Sequence, residues 1–406
     1  MRARTGALQG ALLIGMASMA ATAVADVGPA RTLASGLANP RGIDFAPNGA
    51  LYVVEAGGGG PGPCVPSPVP PNLPRCYGET GALTRIAPWG SVKRVVTGLP
   101  SLALPNGTVE GGPTDVSFFG MTAYVVLGLG GNPQLRPGLG GKASMLGTLL
   151  RVSPSGEYRV VADIAAQEAA QNPDGAFVDS NPYGVLALPG RRIVADAGAN
   201  AIWEARPDGS VQLFAQPSLP DGRQTVPTSV TEGPGSNVYA GLLTGGPFFK
   251  GTSPVLQISL DGSMIEDYAT GYTAVVDVAF DRGGALYVLE VASGFPTGTP
   301  PTPGLGIGRL LRQCPDGTRS ELLAGLTFPG GVAIGWDGAA YITNFGTSPT
   351  AGEVLRLPLT PCDCTPTRRP AGSARSLPTG SGWPACSPPL RSARGFRTPA
   401  ARPCAR

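Results

Sequence analysis

Short apolar runs recur along the chain in a fixed order, and each run is closed by glycine, proline, asparagine or aspartate. A repeat opens with a step such as Pro182-Tyr183-Gly184-Val185 and continues through a tight turn into a second run, which usually contains Leu-Tyr-Val. A third and a fourth run follow, joined by turns such as Pro207-Asp208-Gly209. Short runs rich in β-branched and aromatic residues between such turn residues are typical of β-strands.

The repeat occurs six times, and the sixth copy lacks its fourth run. Residues 31–37 resemble the fourth runs of other repeats and also lead directly into a first run. A fixed-order repeat of four short strands is the sequence signature of a β-propeller. The sequence therefore predicts an all-β fold, a six-bladed β-propeller with four-stranded blades. The N-terminal strand 31–37 completes the last blade and closes the ring, which removes exposed sheet edges.

The links between the predicted strands fall into a short and a long class. Turns within the 1–2 and 3–4 strand pairs are tight, whereas links between strands two and three, and between blades, are long. Examples are 55–81 and 164–181. An Ala/Gln/Glu run at 163–170 covers the start of the second link and predicts a short helix. In an up-and-down blade the long links emerge on one face. Loops on a rigid scaffold carry function, so we expect a small molecule, a glycan or a protein to bind this long-loop face.

Composition excludes several classes of function. The chain has 61 Gly, 44 Pro and no His, which excludes a helical bundle, His-based acid–base catalysis and His-ligated metals. The net charge of +3 comes from residues 362–406, which hold eight Arg and one acidic residue, Asp363. The rest of the chain is mildly acidic, so we expect no nucleic-acid partner.

The two ends of the chain differ from the repeats. Arg2 and Arg4, an apolar stretch and Ala23-Val24-Ala25 predict a signal peptide at 1–25, hence a secreted, periplasmic or extracellular protein without a transmembrane segment. The propeller spans 26–360, and we expect a monomer. Residues 361–406 predict a disordered Pro/Arg-rich tail. The alternative is an out-of-frame translation of a GC-rich gene, which resequencing of the 3′ end would decide.

One register of the second strands carries oxygen-bearing side chains in four repeats. These residues are Glu55, Asp196, Glu290 and Asn344, and the first strands add Asp115 and Asp277. A cluster of oxygens without histidine, converging on the channel, would suit calcium or magnesium as the ion. The alternative, which we favour, is that these groups accept backbone N–H bonds at the loop starts.

Two long links contain further candidate groups. Asp174, Asp179 and Asn181 would form a ligand site or hold their loop together, and we favour the structural role. Cys64 and Cys76 flank a Pro-rich run in an exported chain, which predicts a disulfide. Cys314 would pair with Cys362 or Cys364.

Three segments resemble the ScyD/ScyE family of exported propeller proteins over about residues 30–360. They are 36–42 (GLANPRG), the Cys64 to Gly78 loop, and 172–184. The repeats are more distantly similar to NHL propellers and gluconolactonase-like hydrolases. Hydrolases of that kind hold a divalent cation through Glu, Asn and Asp in the channel, which the register of Glu55, Asp196, Glu290 and Asn344 loosely matches. The resemblance implies the fold and export more than an activity.

Two functions follow from these patterns. The first is an exported, non-enzymatic binding or accessory protein that acts through its loop-rich face. The alternative is a divalent-metal-dependent hydrolase or lactonase that uses the channel carboxylates. The hydrolase requires oxygens of Glu55, Asp196, Glu290 and Asn344 to converge on one ion, at about 2.3–2.6 Å for calcium.

Overall fold

The computed structural model describes residues 23–24, 27–67, 73–246, 248–292 and 307–362. The chain divides into two units, Met1–Pro361 and Cys362–Arg406, and every strand formed by the described residues belongs to the first. Apart from residues 23–24, the predicted signal peptide lies outside the described residues, and so does the predicted tail beyond residue 362.

The strands follow the order of the sequence repeats. The first strands are β3 (Pro40–Phe45), β8 (Val109–Phe119), β12 (Pro182–Leu188), β16 (Pro227–Glu232), β20 (Val275–Phe280) and β24 (Gly331–Ile334). The second strands are β4 (Leu51–Glu55), β9 (Thr122–Gly128), β13 (Arg191–Asp196), β17 (Val238–Leu242), β21 (Leu286–Glu290) and β25 (Ala339–Asn344). The third strands are β6 (Pro74–Ile86), β10 (Thr148–Val152), β14 (Ala201–Ala205), β18 (Ser253–Ile258), β22 (Ile307–Gln313) and β26 (Gly352–Pro358).

The outer strands and the short helices complete the architecture. The fourth strands are β7 (Val92–Ala103), β11 (Tyr158–Asp163), β15 (Val211–Ala215), β19 (Ile265–Tyr272) and β23 (Arg319–Thr327). The remaining elements are β1 (Ala23–Val24), β2 (Arg31–Leu37), β5 (Cys64–Pro66), α1 (Arg136–Leu139), α2 (Ile164–Gln171) and 3-10 turns at Pro133–Leu135, Ala143–Met145 and Pro234–Ser236.

Consecutive strands of each repeat pair antiparallel, which gives an all-β, propeller-like fold. In the last repeat, β2 takes the fourth position and pairs antiparallel with β26, with Arg31 opposite Arg356 and Leu37 opposite Gly352. The first strands contact one another in chain order, and β24 also contacts β3. The core lies between neighbouring sheets, where Tyr52 and Val54 of β4 pack against Val125 and Leu127 of β9.

The first repeat is more regular than its sequence indicates. The predicted link 55–81 contains β5 and the first half of β6, and the segment 98–112 between the first two repeats is largely strand. The extra strand residues could not be predicted, because the segments are rich in glycine and proline, which normally mark loops. Here they permit close backbone packing: a Cβ on Gly78 would lie 2.0 Å from the carbonyl oxygen of Gly59.

Three local predictions are confirmed. Cys64 and Cys76 lie opposite each other in the β5–β6 pair and form a disulfide. Cys314 and Cys362 are also disulfide-bonded, and Cys364 lies outside the described residues. The predicted short helix is α2, whose first turn is capped by the Asp163 carboxylate accepting the Ala166 N–H at 3.0 Å.

Helices are few and short in this fold. None of those formed by the described residues is long and apolar enough to cross a membrane.

Candidate functional site

The four oxygen-bearing residues of the second-strand register share one contact. Each is the last residue of its strand and accepts a backbone N–H from the stretch of chain just before the first strand of the same repeat, which for Asn344 is the end of β23. The donors are Ala38 to Glu55 at 2.8 Å, Asn181 to Asp196 at 2.6 Å, Thr273 to Glu290 at 2.8 Å and Thr327 to Asn344 at 2.7 Å. These bonds fix the end of each link against its own sheet.

Additional partners occupy the same side chains. Arg94 donates to both oxygens of the fully buried Glu55 carboxylate, at 2.9 and 2.6 Å, and the Thr84 hydroxyl donates to one of them. Arg309 donates to Glu290 at 2.7 Å. Burial raises the pKa of Glu290, and its bond to Arg309 offsets part of that shift.

Asp196 and Asn344 are held in a similar way. The Asp196 carboxylate accepts the Ser180 hydroxyl at 2.6 Å and the N–H groups of Gly198 and Ala199 at 3.2 Å. Burial raises the pKa of Asp196 to about 6, and these bonds limit the rise. The Asn344 amide donates to Glu353 at 3.0 Å.

The structure does not assemble the register into an ion site. Among the described residues, no group of three or more His, Cys, Asp or Glu side chains is arranged to hold a metal ion. The register residues instead point into loop backbone, each within its own repeat.

The predicted first-strand aspartates lie in a different place, at a cavity of about 480 Å³ lined by all six first strands, which we call the axial cavity. Its carboxylates from the first strands include Asp44, Asp115 and Asp277. Asp115 accepts the Val185 N–H at 2.8 Å, and Asp44 accepts the Phe118 N–H at 3.1 Å. Each bond joins one first strand to the next.

Burial dominates the titration of these aspartates. It raises the pKa of Asp44 to about 7 and that of Asp277 to about 6, and it raises the pKa of Asp115 as well. Repulsion from Asp277 adds to the shifts of Asp44 and Asp115. Near neutral pH the axial cavity therefore holds carboxyl groups that keep or release protons according to small changes in their surroundings.

Sequence reasoning missed Asp44. In its repeat the register of Asp115 and Asp277 is occupied by Gly42, and the carboxylate stands two residues later. A polar residue inside an otherwise apolar inner strand was the available signal.

A second cavity, of about 330 Å³, opens where the first strands begin and the second strands end; we call it the mouth pocket. This is the side of the long links. Its polar side chains are those of Arg41, Arg75, Thr114, Asp179, Asn181, Tyr183 and Gln224. Gly111, Gly112, Gly130 and Gly198 also line it, so a bound molecule could approach the backbone closely.

The mouth pocket brings together two of the three predicted loop residues. Asp179 and Asn181 both line it, and the buried Oδ1 atom of Asn181 accepts no hydrogen bond from the described residues. Asp174 is instead used within the loop, where its carboxylate accepts the Asn200 amide at 2.8 Å and the Ala176 N–H at 2.9 Å.

Two arginines give the mouth pocket its positive charge. Arg41 donates to the carbonyl of Val109 at 3.1 Å. Arg75, fully buried beside the Cys76 disulfide, donates to the carbonyl of Leu129 at 2.8 Å. Burial raises the pKa of Asp179, and the charge of Arg75 offsets part of that shift.

Sequence reasoning did not single out Arg41, Arg75 or Tyr183. Arg41 and Tyr183 occupy the same position, directly after the proline that opens a first strand. The residue type at that position varies between repeats, and this variation could have marked Arg41 and Tyr183 as candidate site residues. Arg75 carried no comparable signal because it lies in a Pro-rich segment.

Comparisons with known proteins concern the fold. No family model and no curated protein matches the chain. A solved streptogramin B lyase is 15% identical, with 82% of this chain and 97% of that chain covered and a TM-score of 0.47. A gluconolactonase from Xanthomonas campestris is 13% identical, with 85% and 94% covered and a TM-score of 0.47. A glucose dehydrogenase is 11% identical, with 82% and 100% covered and a TM-score of 0.49. Because the identities are low and the TM-scores lie below 0.5, these likenesses carry no conclusion about the function of this chain.

Proposed function

We propose that this chain is an exported, non-enzymatic binding protein that takes a small polar molecule in the mouth pocket on its long-loop face. The observation that carries this proposal is the pocket itself, where Arg41, Tyr183 and Asn181 line one space of about 330 Å³. Concave sites of a few hundred Å³ with a small number of placed polar groups are the usual form of small-molecule sites.

The proposal assumes a closed ring of six four-stranded blades. It is supported by the chain-order contacts of the first strands, by the contact of β24 with β3 and by the β2–β26 pair. In such a ring the mouth pocket and the axial cavity lie at opposite ends of one channel. Membership of the ScyD/ScyE family, an N-terminal signal peptide and a monomeric state belong to the same proposal. The Cys64–Cys76 bond supports export because disulfides persist in oxidising compartments.

The lining chemistry favours a ligand that carries hydroxyl or carboxylate groups. A guanidinium has five N–H donors, and the bond of Arg41 to the Val109 carbonyl uses one of its nitrogens. The Tyr183 hydroxyl can donate and accept, and the Asn181 carbonyl can accept from a ligand hydroxyl. A glycan end or a protein side chain with the same groups would use the pocket in the same way.

The alternative, a divalent-metal hydrolase, has weaker support. Its expected ligands, Glu55, Asp196 and Glu290, each accept a backbone N–H and at least one further hydrogen bond. A metal would have to replace these bonds, which hold the links in place.

A ligand screen tests the binding function. The Tm of the purified chain is measured in the presence of each member of a panel of monosaccharides, uronic acids and dicarboxylates. A compound that raises the Tm is a hit, and its affinity is then measured by calorimetry. We expect Arg41→Gln and Tyr183→Phe to weaken a hit at least tenfold, as loss of a ligand hydrogen bond commonly does. Arg31→Gln, on the exposed part of β2, is the matched control and keeps the affinity.

The same preparation tests the alternative. Hydrolysis of a sugar lactone that needs added calcium or magnesium and disappears in Glu290→Gln would establish the enzyme and overturn the binding-only function. A hit whose affinity is unchanged in both pocket variants would overturn the mouth pocket as the site. Circular dichroism confirms that each variant is folded.

A further inference from the structure

The link between the second and third repeats contains a glutamate in an unusual setting. Glu168 lies near the middle of α2 and is fully buried. Neither of its carboxylate oxygens accepts a hydrogen bond of normal geometry from the described residues. A buried carboxylate without such bonds is costly, because nothing replaces the water it has lost.

The surroundings of Glu168 add to this cost. The charged groups that act on its carboxylate are Asp196, Asp174 and Asp179, all acidic. Burial and these like charges raise the pKa of Glu168 to about 8, while the nearby backbone N–H of Asp179 lowers it slightly. The carboxylate therefore lies beside the 172–181 loop in a setting where a cation would relieve the repulsion.

Other acceptor oxygens of this segment share the feature. The Oδ1 atoms of Asn172 and Asp179 are buried and accept no hydrogen bond from the described part of the chain. Asn172 is the C-cap residue of α2, and its backbone N–H donates to the Glu168 carbonyl at 2.7 Å, so the two residues are neighbours at the end of the helix. All four atoms, two from Glu168 and one each from Asn172 and Asp179, are oxygens and none is a donor.

We propose that Glu168, Asp179 and Asn172 form a binding site for a divalent cation, with Ca²⁺ as the preferred ion. Calcium takes six to eight oxygen ligands from carboxylates, amide carbonyls and water in flexible geometry. Two carboxyl groups and one amide supply four oxygens. Because the Glu168 carboxyl holds its proton near neutral pH, the ion displaces that proton on binding, and the site then carries a charge of −2. Water would complete the shell.

The site differs from the expected channel site, and it shares one residue, Asp179, with the lining of the mouth pocket. It lies in an interblade link, and it uses none of Glu55, Asp115, Asp277, Glu290 or Asn344. The Asn181 Oδ1 atom is not included, because it lies against Gly128, where a Cβ would be 2.3 Å from it. A bound ion would nevertheless fix Asp179, which lines the mouth pocket.

Metal binding by the full chain tests the site. The protein is stripped with chelator, dialysed, and titrated with CaCl₂ or MgCl₂ by calorimetry and by thermal unfolding at constant ionic strength. We expect Ca²⁺ to release or absorb heat at a single site and to raise the Tm by several degrees, with a smaller response to Mg²⁺. A ligand that binds only the folded state raises stability as its concentration exceeds the Kd.

Variants locate the ion. Glu168→Gln keeps the shape of the side chain and removes its charge, so the Ca²⁺ affinity falls at least tenfold; Asp179→Asn is the second variant, in case the first does not fold. Glu157→Gln, at an exposed glutamate before β11, is the matched control and keeps the response. An unchanged Ca²⁺ response in both site variants, or no response in the natural chain, overturns the proposal. Neither result depends on the ligand of the mouth pocket.

Discussion

The carboxylate of Asp277 accepts a hydrogen bond, 2.7 Å long, from the backbone N–H of Val332 in the first strand of the following repeat. Its other oxygen accepts the hydroxyl of Ser229, in the preceding repeat, at 2.6 Å. A first strand is the inner edge of its sheet, so half of its N–H groups have no partner within the sheet. Buried aspartates supply that partner from the neighbouring repeat.

Removing the Asp277 carboxylate should therefore destabilise the fold. Asp277→Ala leaves the Val332 N–H and the Ser229 hydroxyl without this acceptor. We expect the free energy of unfolding to fall by about 3 kcal/mol, since each orphaned buried group costs about 1–3 kcal/mol. Urea unfolding followed by tryptophan fluorescence measures the loss. Asp267→Ala, on exposed β19, is the control, and an equal effect of both variants would contradict the role of Asp277.

The raised pKa values of the axial aspartates predict a pH dependence. In the unfolded chain these groups titrate near their ordinary value of 3.8, whereas in the folded chain the pKa of Asp277 is about 6 and that of Asp44 about 7. Between about pH 4 and pH 7 the folded state thus binds more protons than the unfolded state. The contribution of this proton binding to the free energy of unfolding is complete below about pH 4 and is lost as the pH rises through 6 and 7.

The variant Asp44→Asn isolates one part of this dependence. It cannot ionise, so the decline in the free energy of unfolding between pH 5 and pH 8 should be shallower than in the natural chain, by at most about 1.4 kcal/mol per pH unit. Urea unfolding at four pH values measures the difference. Asp267→Asn should keep the natural slope; a natural slope in Asp44→Asn would show that Asp44 does not titrate in this range.

The strand pattern and the type of side chain at the second-strand ends could be predicted from sequence, because turn residues and the Leu-Tyr-Val run recur at similar spacing. The hydrogen-bond partners of these side chains could not be predicted. Arg94 meets Glu55 from a fourth strand, whereas Arg309 meets Glu290 from a third strand. The two repeats reach a similar arrangement from different positions, so no single register marks both. Glu168 had no sequence signal, since its run indicates only a helix.

The pair of Glu55 and Arg94 predicts a loss of stability when its exposed partner is removed. Arg94→Met leaves the fully buried Glu55 carboxylate with the Thr84 hydroxyl and the Ala38 N–H as its remaining partners. Arg94 is itself about half exposed, so water screens part of the effect, and we expect a loss of about 2 kcal/mol. Chemical denaturation measures it.

Arg31→Met is the matched control for Arg94→Met. Arg31 opens the fourth strand of the last repeat and is exposed. It lies one residue before Thr32, the residue that corresponds to Arg94 in the strand register of the first repeat. It should change stability little. If Arg31→Met and Arg94→Met have the same effect, the loss comes from the outer strand in general and not from Glu55.

The Cys64–Cys76 disulfide closes a loop with a sequence separation of 12. Replacing both cysteines by alanine should lower the free energy of unfolding by up to about 3 kcal/mol, because the unfolded chain regains the entropy of that loop. Early protease cleavage between residues 60 and 80 would accompany the loss. Unchanged protease resistance and stability in the double variant would show that the β5–β6 pair holds the loop without the bond.

Close packing of the first strands predicts a steric requirement at Gly42. A Cβ at this position would lie 1.9 Å from the Asp115 Oδ1 atom and 2.7 Å from the Asp115 Cα atom, and a backbone atom cannot move aside as a side chain can. Gly42→Ala should therefore cost about 2 kcal/mol or more, as overpacking of a tight interior does. Chemical denaturation measures the loss, and Gly138→Ala, in α1, is the control, because a Cβ there meets no atom within 4 Å.

A double variant separates the two clashes at Gly42. In Gly42→Ala combined with Asp115→Gly, the clash with the carboxylate oxygen is removed, whereas the close approach to the backbone of residue 115 remains. The combined loss of stability should therefore be smaller than the sum of the two single losses. Strictly additive losses would mean that the Asp115 side chain does not contribute to the cost of a side chain at residue 42, which would contradict the predicted clash.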